Sequence, residues 1–350
     1  VGNAIAPGVV RPGGSLPLAI SPDHRFLYAG VRGDPLIVAS FAIDQTTGAL
    51  THLANSPLAD NMAYLSTDRA GRYLFSASYA GARAAVNPIS PDGVVQAPRQ
   101  IVETEPNAHA VVVDRDNRRV LVPCLGGDVI LSLAFDARSG SISATDRRSV
   151  LTAAQAGPRH IAFHPDGRLL ICDIGNHRIR RVDLQKNRID TFAGTGEREA
   201  TPDGSPIQGT PLNGPRAIDF AKDGTLFLVL REGNVVLRAS DGKFVRLAGT
   251  GEKGYSGDGA DARLAKLSGP KGISCAPDGS VFIADTESHT IRRIDSRGVI
   301  TTVAGTGERG DGPVGDPLKC KLSRPHGVFA AKDGRIYIGD SESHRVRVLA

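Results

Sequence analysis

The sequence predicts an all-β fold, a closed seven-bladed β-propeller with four antiparallel strands in each blade. Three observations carry that prediction. First, four segments align on one frame: "GPRHIAFHPDGRLLICDIGNHRIRRVD" from Gly157, "GPRAIDFAKDGTLFLVL" from Gly214, "GPKGISCAPDGSVFIADTESHTIRRID" from Gly269 and "RPHGVFAAKDGRIYIGDSESHRVRVLA" from Arg324. Their spacings are 57, 55 and 55 residues, and looser versions centred on Leu27, Leu74 and Val120 precede them, 47 and 46 residues apart. Second, each unit alternates apolar and polar residues between turn signals, the pattern of a β-meander, and repeats of this length are the mark of propeller blades. Third, the last unit ends at Ala350 after only three strands, while "VGNAIAPGVVR" stands before the first unit with no blade of its own. An open blade leaves an unpaired edge. Residues 1–13 are therefore assigned to closure, with the missing fourth strand drawn from residues 1–11.

Each element has a local reason. The first strand of a unit is the apolar run after the Pro, such as "HIAF" or "GISC". "PDG" or "KDG" follows, where Asp supplies a side-chain acceptor and Gly a positive φ for a tight hairpin. The second strand is β-rich ("RLLI", "SVFI", "RIYI"), the third alternates ("HRIRRVDL"), and the fourth is of the kind "GVITTVAGTG". Leu27, Leu74, Val120, Leu170, Phe227, Phe282 and Tyr337 are expected to fill the interfaces between blades. Asp173, Asp285 and Asp340 recur blade by blade, as do His177, His289 and His344, and recurrence argues for a structural role in the turns. The fifth unit has Leu230 and Asn234 at those places, so a looser turn is expected there. "GTGERG" and "GTGEKG" resemble phosphate-binding loops, but no helix follows them, so they are not read as such.

Bulk properties narrow the class. The whole chain, residues 1–350, is read as one propeller domain. No run of 18 apolar residues exists, so no membrane helix and no membrane partner are expected. The four cysteines, Cys124, Cys172, Cys275 and Cys320, are far apart and form no metal-binding pair; free thiols and a cytoplasmic location are expected. The chain opens on Val1 rather than Met, so its native start is expected to be missing or processed. A formal net charge of +5 permits weak attraction to anions without specifying one.

The two halves differ in style. "SPDHRFLYAGVR" (Ser21 to Arg32), "STDRAGRYLFSASYAG" (Ser66 to Gly81), "PNAHAVVVDRDNRRVLVP" (Pro106 to Pro123) and "AGPRHIAFHPDG" (Ala156 to Gly167) resemble the 6-phosphogluconolactonase family of seven-bladed lactonases, over about residues 14–168. "CDIGNHRIRRV", "ADTESHTIRRI", "GDSESHRVRVL" and three copies of "AGTGE" resemble NHL repeats, over about residues 169–350. The two families share the blade-opening motif at Gly157, so the halves meet where their sequences are interchangeable. That junction, and the different repeat lengths on its two sides, point to a recombined propeller, natural or engineered.

The loops entering the innermost strands carry the candidate chemistry. They end in "PNAHA", "GPRH", "GPRA", "GPKG" and "RPHG". The lactonase resemblance implies His109, Arg159 and His160 as catalytic residues. Arginine suits a phosphate-bearing lactone, a histidine can activate water, and donors can meet the developing oxyanion. Arg216, Lys271, Arg324 and His326 complete a basic mouth and are read as ligand-binding, for a small anion. His109, His160 and His326 were weighed as a zinc site; without a carboxylate partner no metal is assigned, and no cofactor is expected. Stacking aromatics are absent from these motifs, so no sequence-specific nucleic acid is expected, and a monomer is. The lactonases carry a Glu-bearing element after the second strand of the "GPRH" blade; here Asp173 stands in "CDIGN", and the later lactonase blades are missing. The leading expectation is therefore a propeller scaffold without strong native activity. A 6-phosphogluconolactonase-type lactone hydrolase and an NHL-type binding propeller are the alternatives.

Overall fold

The alternating runs and Asp-Gly turns assemble into seven separate antiparallel sheets, one per repeat. The computed structural model describes residues 2–4, 17–151, 157–164, 168–183, 186 and 188–349, with side chains over the same ranges except 2–4, 144–151 and 160. In five of the seven blades the strands follow chain order outward from the channel; blades 5 and 7 depart from it at their outer edges. Blade 4, for example, runs Pro158–Phe163, Leu169–Asp173, Arg178–Asp183 and Arg188–Ala193. The hairpins turn as their chemistry dictates. In blade 6, Asp278 accepts the Ser280 N–H at 2.9 Å, and Gly279 takes φ +84°.

Apolar faces meet in seven clusters, each joining residues of two adjacent blades. Leu27 packs with Tyr337 between blades 1 and 7. Leu121 packs with Ile171 between blades 3 and 4, where the two sequence styles meet. All seven interface residues expected from the repeat are buried. Flat sheet faces packed in this way need only matching volume and no specific polar contacts, which is why the repeat core was readable from spacing alone. No helix among the described residues is long and apolar enough to cross a membrane. None of the four cysteines forms a disulfide.

The ring closes as expected. Gly2–Ala4 pairs antiparallel with Arg345–Leu349, with Asn3 opposite Arg347. Val1 and residues 5–13 of the closing segment lie outside the described residues. Deleting residues 1–11 exposes the Arg345–Leu349 edge, and the truncated protein is expected to self-associate or to melt at lower temperature. Size-exclusion chromatography and a melting curve that both match the full chain would contradict the closure.

Two details depart from the expectation. Blade 5 carries a fifth strand, Ser205–Pro206, on its outer edge, paired with Lys243–Ala248. The longer 50s spacing of the second half gives this blade enough chain to fold back on itself. The blade 5 turn is also not looser than its neighbours. Asn234 adopts φ +49° and accepts the Gly269 N–H at 2.9 Å. His177 and His289 do the same for Gly214 and for the N–H of Arg324, with φ +50° and +55°. Asp128 does so for Gly157, with φ +50°. Each is a left-handed residue whose side chain accepts the N–H that opens the next blade. Asn and Asp both tolerate that backbone and present an oxygen where His presents Nδ1.

The repeated "AGTGE" is explained by the same latches. A Cβ on Gly194, Gly249 or Gly305 would stand 2.3 Å from the carbonyl oxygen of His177, Asn234 or His289. The motif is a close backbone approach, which only glycine permits. The recurrent aspartates are structural as well. Asp173 accepts from Arg180 Nε at 2.8 Å, and Asp340 accepts from Arg347 Nε at 2.7 Å and from the Ser323 N–H at 2.6 Å.

Candidate functional site

The latches set the site. Two residues beyond each latched N–H the chain enters the innermost strand at the channel mouth. In blades 4 to 7 those residues are Arg159, Arg216, Lys271 and His326. Arg159 and Arg216 sit on irregularities of the ladder. Pairing shifts between Pro158 and His160, and again between Pro215 and Ala217, so each arginine is the extra residue of a bulge. A bulge re-aims a side chain that regular pleating would send into a sheet face.

At one end of this arc, Arg159 Nε donates to His109 Nε2 across the blade 3–4 boundary at 2.7 Å. That bond fixes the proton of a neutral His109 on Nδ1. It also occupies Nε2 of His109, which in this arrangement braces the Arg159 guanidinium. Arg159 keeps a second donor, Nη1, buried and without a hydrogen-bond partner among the described residues. The Tyr79 ring lies edge-on to His109, 5.8 Å between centroids at 84°, and is 37% exposed. Sequence reasoning missed Tyr79 because it lies in a second-to-third-strand turn; its only signal was an aromatic in "SASYAG". The side chain of His160 lies outside the described residues, and its backbone pairs with Cys172.

At the other end, Lys271 Nζ stands 2.8 Å from His326 Nε2 and 3.8 Å from Glu287. Arg324 occupies the place that glycine holds in the other NHL-like units, at φ +49°, and its guanidinium bridges Glu287 at 2.5 Å and Glu342 at 3.1 Å. Burial first, then the nearby guanidinium groups of Arg324 and Arg216, pushes the Lys271 ammonium down to about 8, with Glu287 acting in the opposite direction. Burial first, then the Lys271 ammonium and the guanidinium groups of Arg216 and Arg324, push His326 down to about 3, so it is neutral and accepts from Lys271. Burial, then Arg231, lowers Arg216 to about 10. His109 and His326 each have Nε2 against a cation, and the side chain of His160, the third histidine of that set, lies outside the described residues. No group of three potential metal ligands occurs among the described residues.

The charged Lys271 costs stability. A folded value below the unfolded one disfavours the fold most below about pH 8, and the deficit vanishes as pH rises past the unfolded value. At about 1.4 kcal/mol per tenfold change in proton affinity, the deficit at pH 7 is about 3 kcal/mol. Lys271→Gln keeps a donor for His326 and removes the charge. It is expected to melt above the parent at pH 7 and to lose that advantage between about pH 8 and 10. Equal melting temperatures at pH 7 would refute the assignment.

Asp173, which stands where the lactonases carry Glu, is committed to Arg180 and is 1% exposed. Burial raises its carboxyl despite that partner. It faces the blade, not the channel contents.

A seven-bladed propeller with a histidine-braced arginine at its mouth defines a class, and comparison with known proteins narrows it. Residues 6–173 match the family model described as lactonase, 7-bladed β-propeller. Residues 246–321 match the teneurin NHL domain and residues 322–349 the NHL repeat. The first half of the chain is similar to the 6-phosphogluconolactonases of Xenorhabdus nematophila, at 42% identity over 161 residues, and Yersinia pestis, at 41%. These alignments cover 46% of this chain and 48% and 47% of those proteins, so the chain spans about half the length of the curated relatives it matches. Among solved structures, a periplasmic gluconolactonase of Pseudomonas aeruginosa superposes with a TM-score of 0.65 at 22% identity, covering 82% of this chain and 84% of that one. A virginiamycin B lyase of Staphylococcus aureus does so at 0.65 and 14%, covering 98% and 96%. At these identities the superpositions show the fold alone. The chain is thus a propeller with a lactonase-like first half and NHL repeats in its second. The expectation of a recombined scaffold without activity finds no support in these matches, which favour the lactonase reading.

Proposed function

We propose that the protein is a lactone hydrolase of the 6-phosphogluconolactonase type, acting at the channel mouth around Arg159. The observation that carries this reading is the 2.7 Å bond from Arg159 Nε to His109 Nε2, formed between two motifs of the lactonase-like half. Water adds to the lactone carbonyl, and the negative charge that develops on the carbonyl oxygen needs a preorganised donor. The buried, unpartnered Nη1 of Arg159 is such a donor, and a guanidinium already held by His109 needs no reorganisation when the charge appears. The ring C–O bond then breaks; one proton of the attacking water passes through solvent to the leaving ring oxygen, which becomes the hydroxyl, and the other is released to solvent as the acid ionises to the carboxylate. Lactones of this kind open spontaneously, so one strong electrophile suffices for a useful rate.

Arg216, Lys271 and Arg324 extend the cationic arc, with the neutral His326 beside Lys271, and in this reading these four hold the anionic end of the substrate. Tyr79 offers the sugar ring an apolar edge. Thiols that form no disulfide fit a cytoplasmic setting. The test is hydrolysis of 6-phosphogluconolactone at neutral pH, measured over its spontaneous rate. Enzyme-dependent, saturable turnover is expected; a rate equal to background would refute the proposal.

A further inference from the structure

Lys271 is one of nine lysines and the only one that is buried. It does not sit in a neutral pocket. Arg216, Arg231 and Arg324 face it from the blades on either side, Glu287 lies 3.8 Å away, and His326 Nε2 accepts from its Nζ at 2.8 Å. Arg231 and Arg324 each keep Nε buried without a hydrogen-bond partner among the described residues. Beside His326 the innermost strand is open: Gly327 is exposed, and a Cβ placed on it would meet nothing within 4 Å. An amine, a neutral imidazole, spare guanidinium donors and an open approach therefore meet at one point, which the lactonase reading uses only as positive charge.

We propose that Lys271 is a nucleophilic amine that condenses reversibly with the carbonyl group of a small 2-oxo acid, whose carboxylate is held by Arg216 and Arg324. The step balances without an added redox partner. The Nζ lone pair forms a bond to the carbonyl carbon, and the C=O π pair moves to oxygen. Nζ releases a proton to His326 Nε2, and the oxygen takes up a proton from solvent to become the carbinolamine hydroxyl. That hydroxyl leaves as water, carrying the proton returned from His326, and the nitrogen lone pair closes the iminium. The crowd of guanidinium groups favours this course in two ways. It disfavours the ammonium form of Lys271, which cannot attack, and it attracts the anionic substrate. Glu287 opposes both effects but is itself held by Arg324 at 2.5 Å.

The site shares its cations with the lactonase reading, but trapping of an amine by a carbonyl compound needs no lactone turnover, so the two proposals fail separately. The experiment is reductive trapping with pyruvate and sodium cyanoborohydride at about pH 7.5, followed by peptide mass spectrometry of the full chain. Lys271 is expected to gain the carboxyethyl group about tenfold faster than any of the eight other lysines, with saturation in pyruvate. Arg216→Gln is expected to raise the half-saturating pyruvate concentration about fivefold or more; trapping by acetaldehyde, which lacks a carboxylate, falls only by the smaller amount that follows from losing one cation beside Lys271. His326→Gln should slow trapping about tenfold with either carbonyl compound. Labelling of Lys271 no faster than of exposed lysines overturns the proposal in the parent protein alone, with no variant needed. An equal effect of Arg216→Gln on pyruvate and acetaldehyde overturns the carboxylate site.

Discussion

Arg159→Ala is expected to lower kcat/KM for 6-phosphogluconolactone by about 10² to 10³, the loss that follows removal of one preorganised donor at a developing oxyanion. Most of the fall should be in kcat, because the interaction strengthens as charge forms. The fold should be little affected: Arg159 is the extra residue of a bulge, makes no ladder pair of its own, and lies at the mouth. His109 acts through Arg159, so its variants separate positioning from bulk. His109→Gln retains an acceptor for Arg159 Nε and should keep most of the activity, whereas His109→Ala should lose about tenfold or more. If Arg159→Ala turned over the lactone at the parent rate, the assignment of the electrophile would be wrong even with the activity itself confirmed.

The largest effect on stability is expected from Asp340→Ala, about 3–5 kcal/mol. Asp340 and Arg347 are both fully buried, 2.7 Å apart, and Asp340 also accepts the Ser323 N–H at 2.6 Å. Removing the carboxylate strands a buried cation and a buried backbone donor together. Asp311, 2.8 Å from Arg347 Nη2 and 43% exposed, recovers part of the loss. The melting temperature should fall by roughly 5–10 °C. The pair is nevertheless not a net source of stability. Burial raises the Asp340 carboxyl in spite of its partners, so the fold holds the charge at a cost. The double change Asp340→Leu with Arg347→Met should therefore cost clearly less than Asp340→Ala alone. A single variant within about 1 kcal/mol of the parent would show that Asp311 carries the pair by itself.

The fold was legible because its signals are local. "PDG" turns, period-2 alternation and a last unit one strand short each depend on a few adjacent residues, and together they specified seven blades and their closure. The repeated Asp and His positions were legible as structure for the same reason. Blade 5 misled because the fifth unit was compared by residue identity: Asn234 differs from His289 in type but shares its backbone and its acceptor role. The short strand Ser205–Pro206 has no alternating pattern to announce it. At the site, the sequence placed Arg159, Arg216, Lys271 and His326 at one mouth, since they hold the same place in successive units.

What the sequence alone determined is the blade, the ring and the set of residues at its mouth. Hydrophobic period and turn chemistry act over a few residues, and repetition multiplies them. What only the tertiary structure decided is which of those residues bond to each other. His109 meets Arg159 from 50 positions away, and Lys271 meets His326 from 55 away. Those pairings depend on how far each blade turns relative to the next, on bulges at Arg159 and Arg216, and on latch bonds between side chains and the next blade's backbone. None of these leaves a local pattern. The same holds for the depressed proton affinity of Lys271, because desolvation and the field of three arginines are properties of a packed volume and not of a stretch of chain.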